Sequence, residues 1–284
     1  MAVSGPKVTS LEAFEASLGG VRSVALGGML LENRPSALVR ALLRSGVSGL
    51  FLTSAPAASW DADVLIGAGR VSRVRIPHIS LAGIGLAPAA RHAEGSAGVE
   101  YEPCDEALLL GGFLAANHRA PVQPLDHLGV NDLVEGNPLV REVGGFRGVG
   151  PLTVDVAFLH APVGDPAGNL VHAGSRWADV LIARAAKRVV VQVDRLVPRA
   201  EQVGTVSIPG YLVDEIVEVP FGAHPLGSVG GYVADLDHLG RYAEQVRAGG
   251  FAEYLADNCQ ISHEDYLDRV GDTVLAGLVA EAAA

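Results

Sequence analysis

Cysteine is scarce in this sequence, and aromatic and charged residues are uncommon. The 284 residues include two cysteines, Cys104 and Cys259, and their separation matches no metal-ligand pattern. We therefore expect no metal site. Two isolated cysteines also argue against a disulfide framework, which favours a reducing cytoplasm as the protein's location.

Basic residues are fewer than acidic residues in this sequence. Thirty-two acidic residues face 21 basic ones, which gives a formal net charge of -11. Affinity for nucleic acids rests on clustered Lys and Arg, so the balance argues against a nucleic-acid partner. A small anionic ligand stays compatible, because a few backbone N–H groups and one or two arginines can hold it.

Long apolar runs are also missing, although 49% of the residues are hydrophobic. No run approaches the ~20 residues of a membrane-spanning helix, and the N-terminus lacks the pattern of a signal peptide. The hydrophobic residues therefore predict a large buried core in a soluble protein, without a membrane partner. We expect one domain over residues 1–284, with the glycine-rich stretch 144–150 as its best internal boundary.

Short hydrophobic runs alternate with helix-like stretches along the chain. This order predicts an α/β fold with an open, mostly parallel sheet and helices on both faces. The predicted strands are 21–26, 49–53, 71–76, 154–160, 188–193 and 216–219, and the predicted helices are 36–45, 63–68 and 177–187, with a helical tail over 242–270.

Ligands of parallel sheets gather at the carboxyl ends of the strands, where Gly27 and Gly28 follow the first predicted strand. Paired glycines let a ligand approach the backbone, and their N–H groups can face an oxyanion or a phosphate. A tight turn without a ligand is the alternative.

Three further loops hold candidate residues. Asp61 and Asp63 open a helix, either as N-caps or as ligand-binding carboxylates. The Asp-Pro-x-Gly-Asn motif at 165–169 is typical of a turn. His224 follows a strand and either faces a cleft or packs in the core.

The order of these motifs resembles the A subunits of the two-subunit family I CoA-transferases, such as that of glutaconate CoA-transferase. The shared features run from about Val21 to Gly271. They are Gly-Gly-Met at 27–29 with Arg-Pro at 34–35, the acidic and glycine-rich segment 61–71, the turn motif 165–169, Gly-Ala-His-Pro at 222–225, and the segment 263–267.

The resemblance implies a CoA-transferase fold of the NagB/RpiA/CoA-transferase type, working with a B subunit in a heterotetramer or a larger heteromer. In the family, a glutamate in a Ser-Glu-Asn-Gly context of the B subunit attacks an acyl-CoA and forms a glutamyl-CoA thioester. This sequence contains no such motif. It is therefore expected to bind acyl-CoA as a substrate, with no permanently bound cofactor, and to need its partner for catalysis.

A second branch of the family implies a different activity. The chain is similar to the A subunit of an actinobacterial steroid ring-opening hydrolase, which acts on a cyclic β-keto acyl-CoA. In that enzyme the A subunit supplies an acidic residue, and the matching position here is Glu106, with Glu100 nearby. The hydrolase also uses an arginine some twenty residues later, where this chain has Asp126. A non-catalytic structural subunit is the third alternative.

The resemblance also implies which residues bind the acyl-CoA. Gly27, Gly28 and Met29 would line the acyl or oxyanion side. The remaining positions are Ser54, Ser59, Asp61 and Asp63 in the acyl pocket, Gly129, Asn131 and Asp132 at the cleft entrance, and His224.

Overall fold

The computed structural model describes residues 7–93, 98–125 and 133–283. The strands are β1 (Ser23–Leu26), β2 (Leu50–Ser54), β3 (Val71–Arg75), β4 (Ser80–Leu81), β5 (Gly85–Leu86), β6 (Glu100–Tyr101), β7 (Gln123–Pro124), β8 (Val140–Val143), β9 (Phe146–Val149), β10 (Val154–Gly164), β11 (Leu170–Val171), β12 (Ala186–Leu196) and β13 (Glu215–Glu218). The helices are α1 (Leu11–Ala16), α2 (Ser36–Arg44), α3 (Trp60–Gly67), α4 (Pro88–Ala93), α5 (Glu106–Asn117), α6 (Asp179–Ala185), α7 (Leu236–Arg247), α8 (Phe251–Asn258), α9 (His263–Val270) and α10 (Asp272–Ala282).

The main sheet has the order β13-β12-β10-β1-β2-β3-β6, and these strands all run parallel. Only β11 pairs antiparallel, at the end of β10. The predicted open and mostly parallel sheet is therefore confirmed.

Helices cover both faces of this sheet. Along β1, Val24 and Leu26 enter one buried cluster with the residues of α1, α2 and α3, whereas Ala25 enters a second cluster with α5 and α6. Successive side chains of a strand point to opposite faces, so this division shows that β1 is buried on both sides.

Several predicted boundaries were wrong around β10 and β12. The two strands stay paired from Val154↔Ala186 to Gly164↔Leu196. This long ladder extends the predicted strands 154–160 and 188–193, and it takes Ala186 and Lys187 out of the predicted helix 177–187. Helix periodicity could not locate this boundary, because the strand at Ala186 depends on its pairing with Val154 of β10, which is a tertiary contact.

The glycine-rich stretch 144–150 lies in a β-hairpin. Gly144 and Gly145, with φ of 62° and 80°, form the turn between β8 and β9, which join β7 in a small antiparallel sheet. The hairpin connects α5 to β10 beside the main sheet. The assignment of residues 1–284 to one domain stays a prediction.

The C-terminal helices pack onto α2 and α3. Tyr254, in α8, is buried and its hydroxyl accepts a hydrogen bond from Trp60 Nε1 at 2.8 Å. Tyr266, in α9, lies under the guanidinium of Arg40, whose Cζ is 3.9 Å from the ring centroid. Among the described helices, none combines the length and the hydropathy that crossing a membrane requires.

Candidate functional site

The order of the strands reverses between β1 and β10. From β1 the chain adds β2, β3 and β6 on one side, and from β10 it adds β12 and β13 on the other. Open parallel sheets bind ligands in the crevice outside the carboxyl ends of such a pair. The segment at this point is the Gly27–Gly28 turn, where Gly27 N donates to Phe158 O of β10 at 2.9 Å.

The amide hydrogens of this turn are already used inside the chain. Gly28 N donates to Asp179 Oδ1 at 2.8 Å, and Met29 N donates to Glu32 O at 3.0 Å. The expectation that Gly27 and Gly28 offer free N–H groups to an oxyanion is therefore wrong for the chain as described. The position of the turn still allows it to line a ligand site, and that role stays a prediction.

A buried ion pair lies beside the turn. Arg34 Nη2 is 2.6 Å from Asp61 Oδ2, and both side chains have no exposed surface. The same Nη2 donates to Ser54 Oγ at 2.8 Å, and Asp61 Oδ1 accepts from Ser59 N at 3.1 Å. Ser54 and Asp61, two predicted pocket residues, thus meet around an arginine to which the sequence analysis gave no role.

Half of the unpartnered buried polar atoms of the described residues lie in loops at this edge of the sheet, and the others belong to Arg40, Arg70 and Asn117. Four buried atoms of its loops have no hydrogen-bond partner among the described residues: Asn33 Nδ2, Arg34 Nη1, Ser59 Oγ and Asp179 Oδ2. Buried polar groups are otherwise nearly always paired, so such a group calls for a functional explanation. Asn33 and Arg34 follow the turn in the same loop, and Asp179 is hydrogen-bonded to Gly28 N.

Residues with a strained backbone conformation also lie mostly in the loops at this edge of the sheet. Four residues other than glycine adopt a positive φ in loops that follow the parallel strands, namely Leu30, Asn33, Ala57 and Phe221, and a fifth, Trp177, does so in the loop after the antiparallel β11. Elsewhere in the described chain only Arg119, after α5, does so. Strained residues of this kind cluster at functional sites, which supports the carboxyl edge as the candidate site on grounds independent of any motif.

Asp63 and His224 are committed to contacts inside the chain. Asp63 accepts hydrogen bonds from Ala90 N at 2.5 Å and from the Tyr242 hydroxyl at 2.6 Å, and burial raises its pKa to about 6. His224 lies 2.7 Å from the Tyr266 hydroxyl and 3.2 Å from Asp235, and burial lowers its pKa. Both join the sheet to the C-terminal helices, and in this structure neither side chain reaches a ligand surface.

Neither aspartate is the N-cap of α3. That position is Ser59, whose side chain makes no capping hydrogen bond. Asp61 instead reaches back to the Ser59 amide, so a carboxylate in the first turn caps the helix.

The two candidate acids lie in and just after β6, the outermost strand on one side of the sheet. Glu100 is in the edge strand β6, and Glu106 is the first residue of α5; both are exposed. Strands β2 and β3 separate β6 from β1, which places it roughly 14 Å from the turn at the usual strand spacing. The predicted entrance residues Gly129, Asn131 and Asp132, and Asp126, lie outside the described residues.

A polar chain crosses β10 and β12 behind the turn. Leu38 N donates to Gln192 Oε1 at 3.1 Å, which leaves Gln192 Nε2 to donate to His160 Nδ1 at 3.0 Å. His160 Nε2 then carries the proton and donates to Ser228 Oγ at 2.9 Å, and this hydroxyl donates to Asp194 at 2.5 Å. The histidine is a donor to the serine, so this group is not a Ser-His-Asp nucleophile.

Asp179 is the most perturbed carboxyl group of the site. It begins α6, and burial raises its pKa to about 7 despite the hydrogen bond from Gly28 N and the charge of Arg34. His172 Nε2 is 4.0 Å from its second oxygen, but burial lowers the pKa of that histidine to about 4. Between these two values both groups are neutral, and they form no ion pair.

This titration predicts a pH-dependent effect of Asp179→Asn. The folded pKa of Asp179 lies above its unfolded value, so the native chain holds a proton that the unfolded chain releases above about pH 4; stability therefore falls as the pH rises from about 4 through 7, and the loss is complete above 7. The uncharged amide avoids this loss. We expect the variant to gain about 2–4 kcal/mol relative to the wild type by pH 8, in urea unfolding.

Asp155→Asn is the matched control. A hydrogen bond with Lys187 lowers the pKa of Asp155, so its titration affects stability only below about pH 4. If the difference in the free energy of unfolding between Asp179→Asn and the wild type stays constant from pH 4 to pH 8, the raised pKa of Asp179 is contradicted.

Two cavities show where a ligand has room. A groove of about 400 Å³ lies beside the turn, between Glu32, Gly230 and α10. A larger cavity of about 820 Å³ opens at the opposite edge, against Gly69, Val71 and Phe251. None of the predicted site residues that the structure describes lines either cavity, but the smaller one includes Glu32 from the loop that follows the turn.

Comparison with known proteins agrees with this geometry. The sequence profile described as "Coenzyme A transferase" matches residues 21–219, from the start of β1 through β13. The chain belongs to the coenzyme A transferase family. The match includes every strand of the main sheet and both sides of the β1/β10 crevice.

The relatives within the family have more than one named activity. The chain is 31% identical over 258 residues to the "Cholesterol ring-cleaving hydrolase IpdA subunit" of Mycobacterium tuberculosis, covering 84% of this chain and 87% of that protein. Glutaconate coenzyme A-transferase of Acidaminococcus fermentans has the same fold, with a TM-score of 0.88 at 26% identity over 96% of this chain and 95% of that one.

A second similar structure is that of the decarboxylase AibA/AibB, determined as a cysteine-to-serine variant. The TM-score is 0.79 at 31% identity, over 88% of this chain and 98% of that chain. The resemblance to the CoA-transferases and the fold class are thus both confirmed.

Sequence reasoning did not assign Arg34, His160, Trp177 or Asp179 to the site. Arg34 belongs to the Arg-Pro motif of the family pattern, and this motif could have identified it as a site residue. Trp177 and Asp179 were assigned to the predicted helix 177–187 rather than to a loop and a helix start. The hydrogen bond between Asp179 and Gly28 also joins residues 151 positions apart, which local sequence does not reveal.

Proposed function

We propose that this chain is the A subunit of a heteromeric enzyme that transfers coenzyme A between acyl groups. A glutamate of the partner subunit forms the glutamyl-CoA thioester, and this chain supplies the β1/β10 side of the site. Acyl-CoA is a substrate rather than a resident cofactor. The observation that carries the proposal is the family match over the whole parallel sheet, together with the absence of a Ser-Glu-Asn-Gly motif from the sequence.

The burial of two carboxylates beside the turn argues against either of them as the nucleophile. Asp61 and Asp179 are fully enclosed, the first in an ion pair and the second on Gly28 N, whereas Glu32 in the loop of the turn is exposed. A carboxylate nucleophile needs access to the acyl carbonyl. The family pattern assigns the attacking glutamate to the partner, in the Ser-Glu-Asn-Gly context that this sequence lacks, and this chain shapes and desolvates the other side of the substrate.

Hydrolysis is the second candidate, and one observation favours it. Glu106 is exposed at the start of α5, just after β6, where a carboxylate can activate water. The ring-cleaving hydrolase subunit is also among the similar proteins. In this alternative Glu106 acts as the base, and the acyl-CoA is consumed without an acceptor.

The test uses the complex of this chain with the product of the adjacent reading frame. The purified complex is incubated with an acyl-CoA and a carboxylate acceptor, then treated with borohydride. We expect a reduced glutamate in the partner and acceptor-dependent formation of a new thioester. Glu106→Gln should keep transfer within about threefold of wild type, because general-base catalysis, worth about 10²–10⁴-fold, is not supplied by this residue.

If the complex forms free acid without an acceptor, and Glu106→Gln abolishes this activity, the enzyme is a hydrolase rather than a transferase. The matched control is Glu142→Gln, an exposed glutamate of the β8–β9 hairpin. A complex that turns over no CoA ester would contradict both activities.

A further inference from the structure

Trp177 combines two properties that the fold of this chain does not explain. Its φ is 44°, a left-handed conformation that is unfavourable for a bulky L-residue, and 48% of its surface is exposed. Burial of the indole therefore offsets little of the strain. The other tryptophan, Trp60, is fully buried and hydrogen-bonded, as a structural residue should be.

Hydrogen bonds fix the backbone around Trp177. Its amide donates to Ser175 Oγ at 3.1 Å, and Asp179 N donates to Arg176 O at 2.9 Å. Two residues after the indole, Asp179 accepts the hydrogen bond from Gly28 N at 2.8 Å. The position of Trp177 is thus tied to the Gly27–Gly28 turn.

The segment before Trp177 packs on a third loop of the same edge. A Cβ at Gly174 would lie 3.1 Å from Val229 Cγ1, and one at Gly230 would lie 2.5 Å from Ala173 Cβ. Val229 N in turn donates to Asn33 Oδ1 at 2.9 Å. The three loops after β1, β11 and β13 therefore support one another, and Trp177 is their large exposed apolar side chain.

We propose that the Trp177 indole forms one wall of the acyl site and determines which acyl groups the enzyme accepts. This inference rests on the function proposed above. The ring offers a broad apolar face two residues before Asp179, which contacts the turn at the strand-order reversal, so it suits the hydrocarbon part of an acyl chain. Each methylene moved from water onto such a surface is worth about fourfold in affinity.

The test compares acyl groups of increasing length in the complex with the partner subunit. The variants are Trp177→Gly, which removes the ring and the strain, and Trp177→Phe, which keeps an aromatic ring. Tyr211→Ala is the matched control, because Tyr211 is 68% exposed and precedes β13 at the opposite edge of the sheet. The substrates are acetyl-CoA, butyryl-CoA and octanoyl-CoA.

For Trp177→Gly we expect kcat/KM to fall at least tenfold with octanoyl-CoA and less than twofold with acetyl-CoA. Trp177→Phe should restore most of the octanoyl activity, and Tyr211→Ala should match the wild type. The melting temperature of Trp177→Gly should be equal or higher by about 2 °C, since glycine accepts a positive φ. A purely structural role predicts a lower one.

Two results would overturn this inference alone. One is a wild-type complex that is active while Trp177→Gly changes all three substrates in the same proportion. The other is a Trp177→Gly chain that no longer binds the partner, which would make the indole an interface residue. A wild-type complex without activity on any CoA ester would overturn the proposed function and this inference together.

Discussion

Replacing Arg34 by methionine is expected to destabilise the protein by about 3–5 kcal/mol. The substitution removes the only ion-pair partner of Asp61 among the described residues and leaves a carboxylate with no exposed surface. An isolated buried charge is far more costly than the pair is stabilising. Chemical unfolding of the wild type and the variant at pH 7 measures the difference.

The double variant Arg34→Met/Asp61→Leu separates charge from packing. We expect it to recover much of the stability lost in Arg34→Met, because an apolar pair of similar volume avoids the desolvation of both charges. Arg269→Met is the control: Arg269 and Asp257 form a 2.7 Å ion pair whose side chains are 50% and 47% exposed. Such exposed pairs contribute about 0–1 kcal/mol. If Arg34→Met costs no more than this control, the buried pair does not support the site.

Gly28→Ala is expected to destabilise the chain by about 3 kcal/mol or more. Gly28 has a φ of 75°, and an added Cβ would lie 2.6 Å from Glu32 O and closer still to Asn33 O. Both atoms belong to the backbone of the same loop, so the overlap is relieved only by moving the turn. The strain of the left-handed conformation adds to this overpacking.

Gly46 offers a matched control, because it has the same φ of 75° with nothing within 4 Å of the added Cβ. Gly46→Ala should therefore lose only about 1 kcal/mol from the backbone conformation. The difference between the two variants, measured by urea unfolding, isolates the close approach in the turn. Equal losses would show that the loop of residues 28–34 adjusts freely, and the packing argument for Gly28 would fail.

Gly28 also shows what periodicity and motifs could predict. The strand before Gly28 and the need for glycine after it follow from local sequence. The reason for the glycine does not, because the crowding atoms of Asn33 and the hydrogen bond from Gly28 to Asp179 require the folded loop. A turn expected to offer its amides to a ligand instead donates them to the chain.

Asp63 and His224 show the same limit. Their motifs marked positions near the ends of parallel strands, which the fold confirms. Their hydrogen bonds to Tyr242 and Tyr266, far along the chain, turn both side chains toward the C-terminal helices. Residue type and spacing do not reveal whether a polar group faces a crevice or a neighbouring helix.

The sequence by itself determined the α/β class, the parallel sheet and the family. Alternating apolar runs and glycine-rich motifs are patterns of neighbouring residues, so they can be recognised without the folded structure. Only the tertiary structure decided which groups meet at the β1/β10 crevice. It brought Arg34 to Asp61 and Asp179 to Gly28, and it gave Trp177, in the segment before Asp179, a strained backbone conformation. Those contacts join residues far apart in the chain, and their energies depend on burial, which arises only when the sheet and its helices close over them.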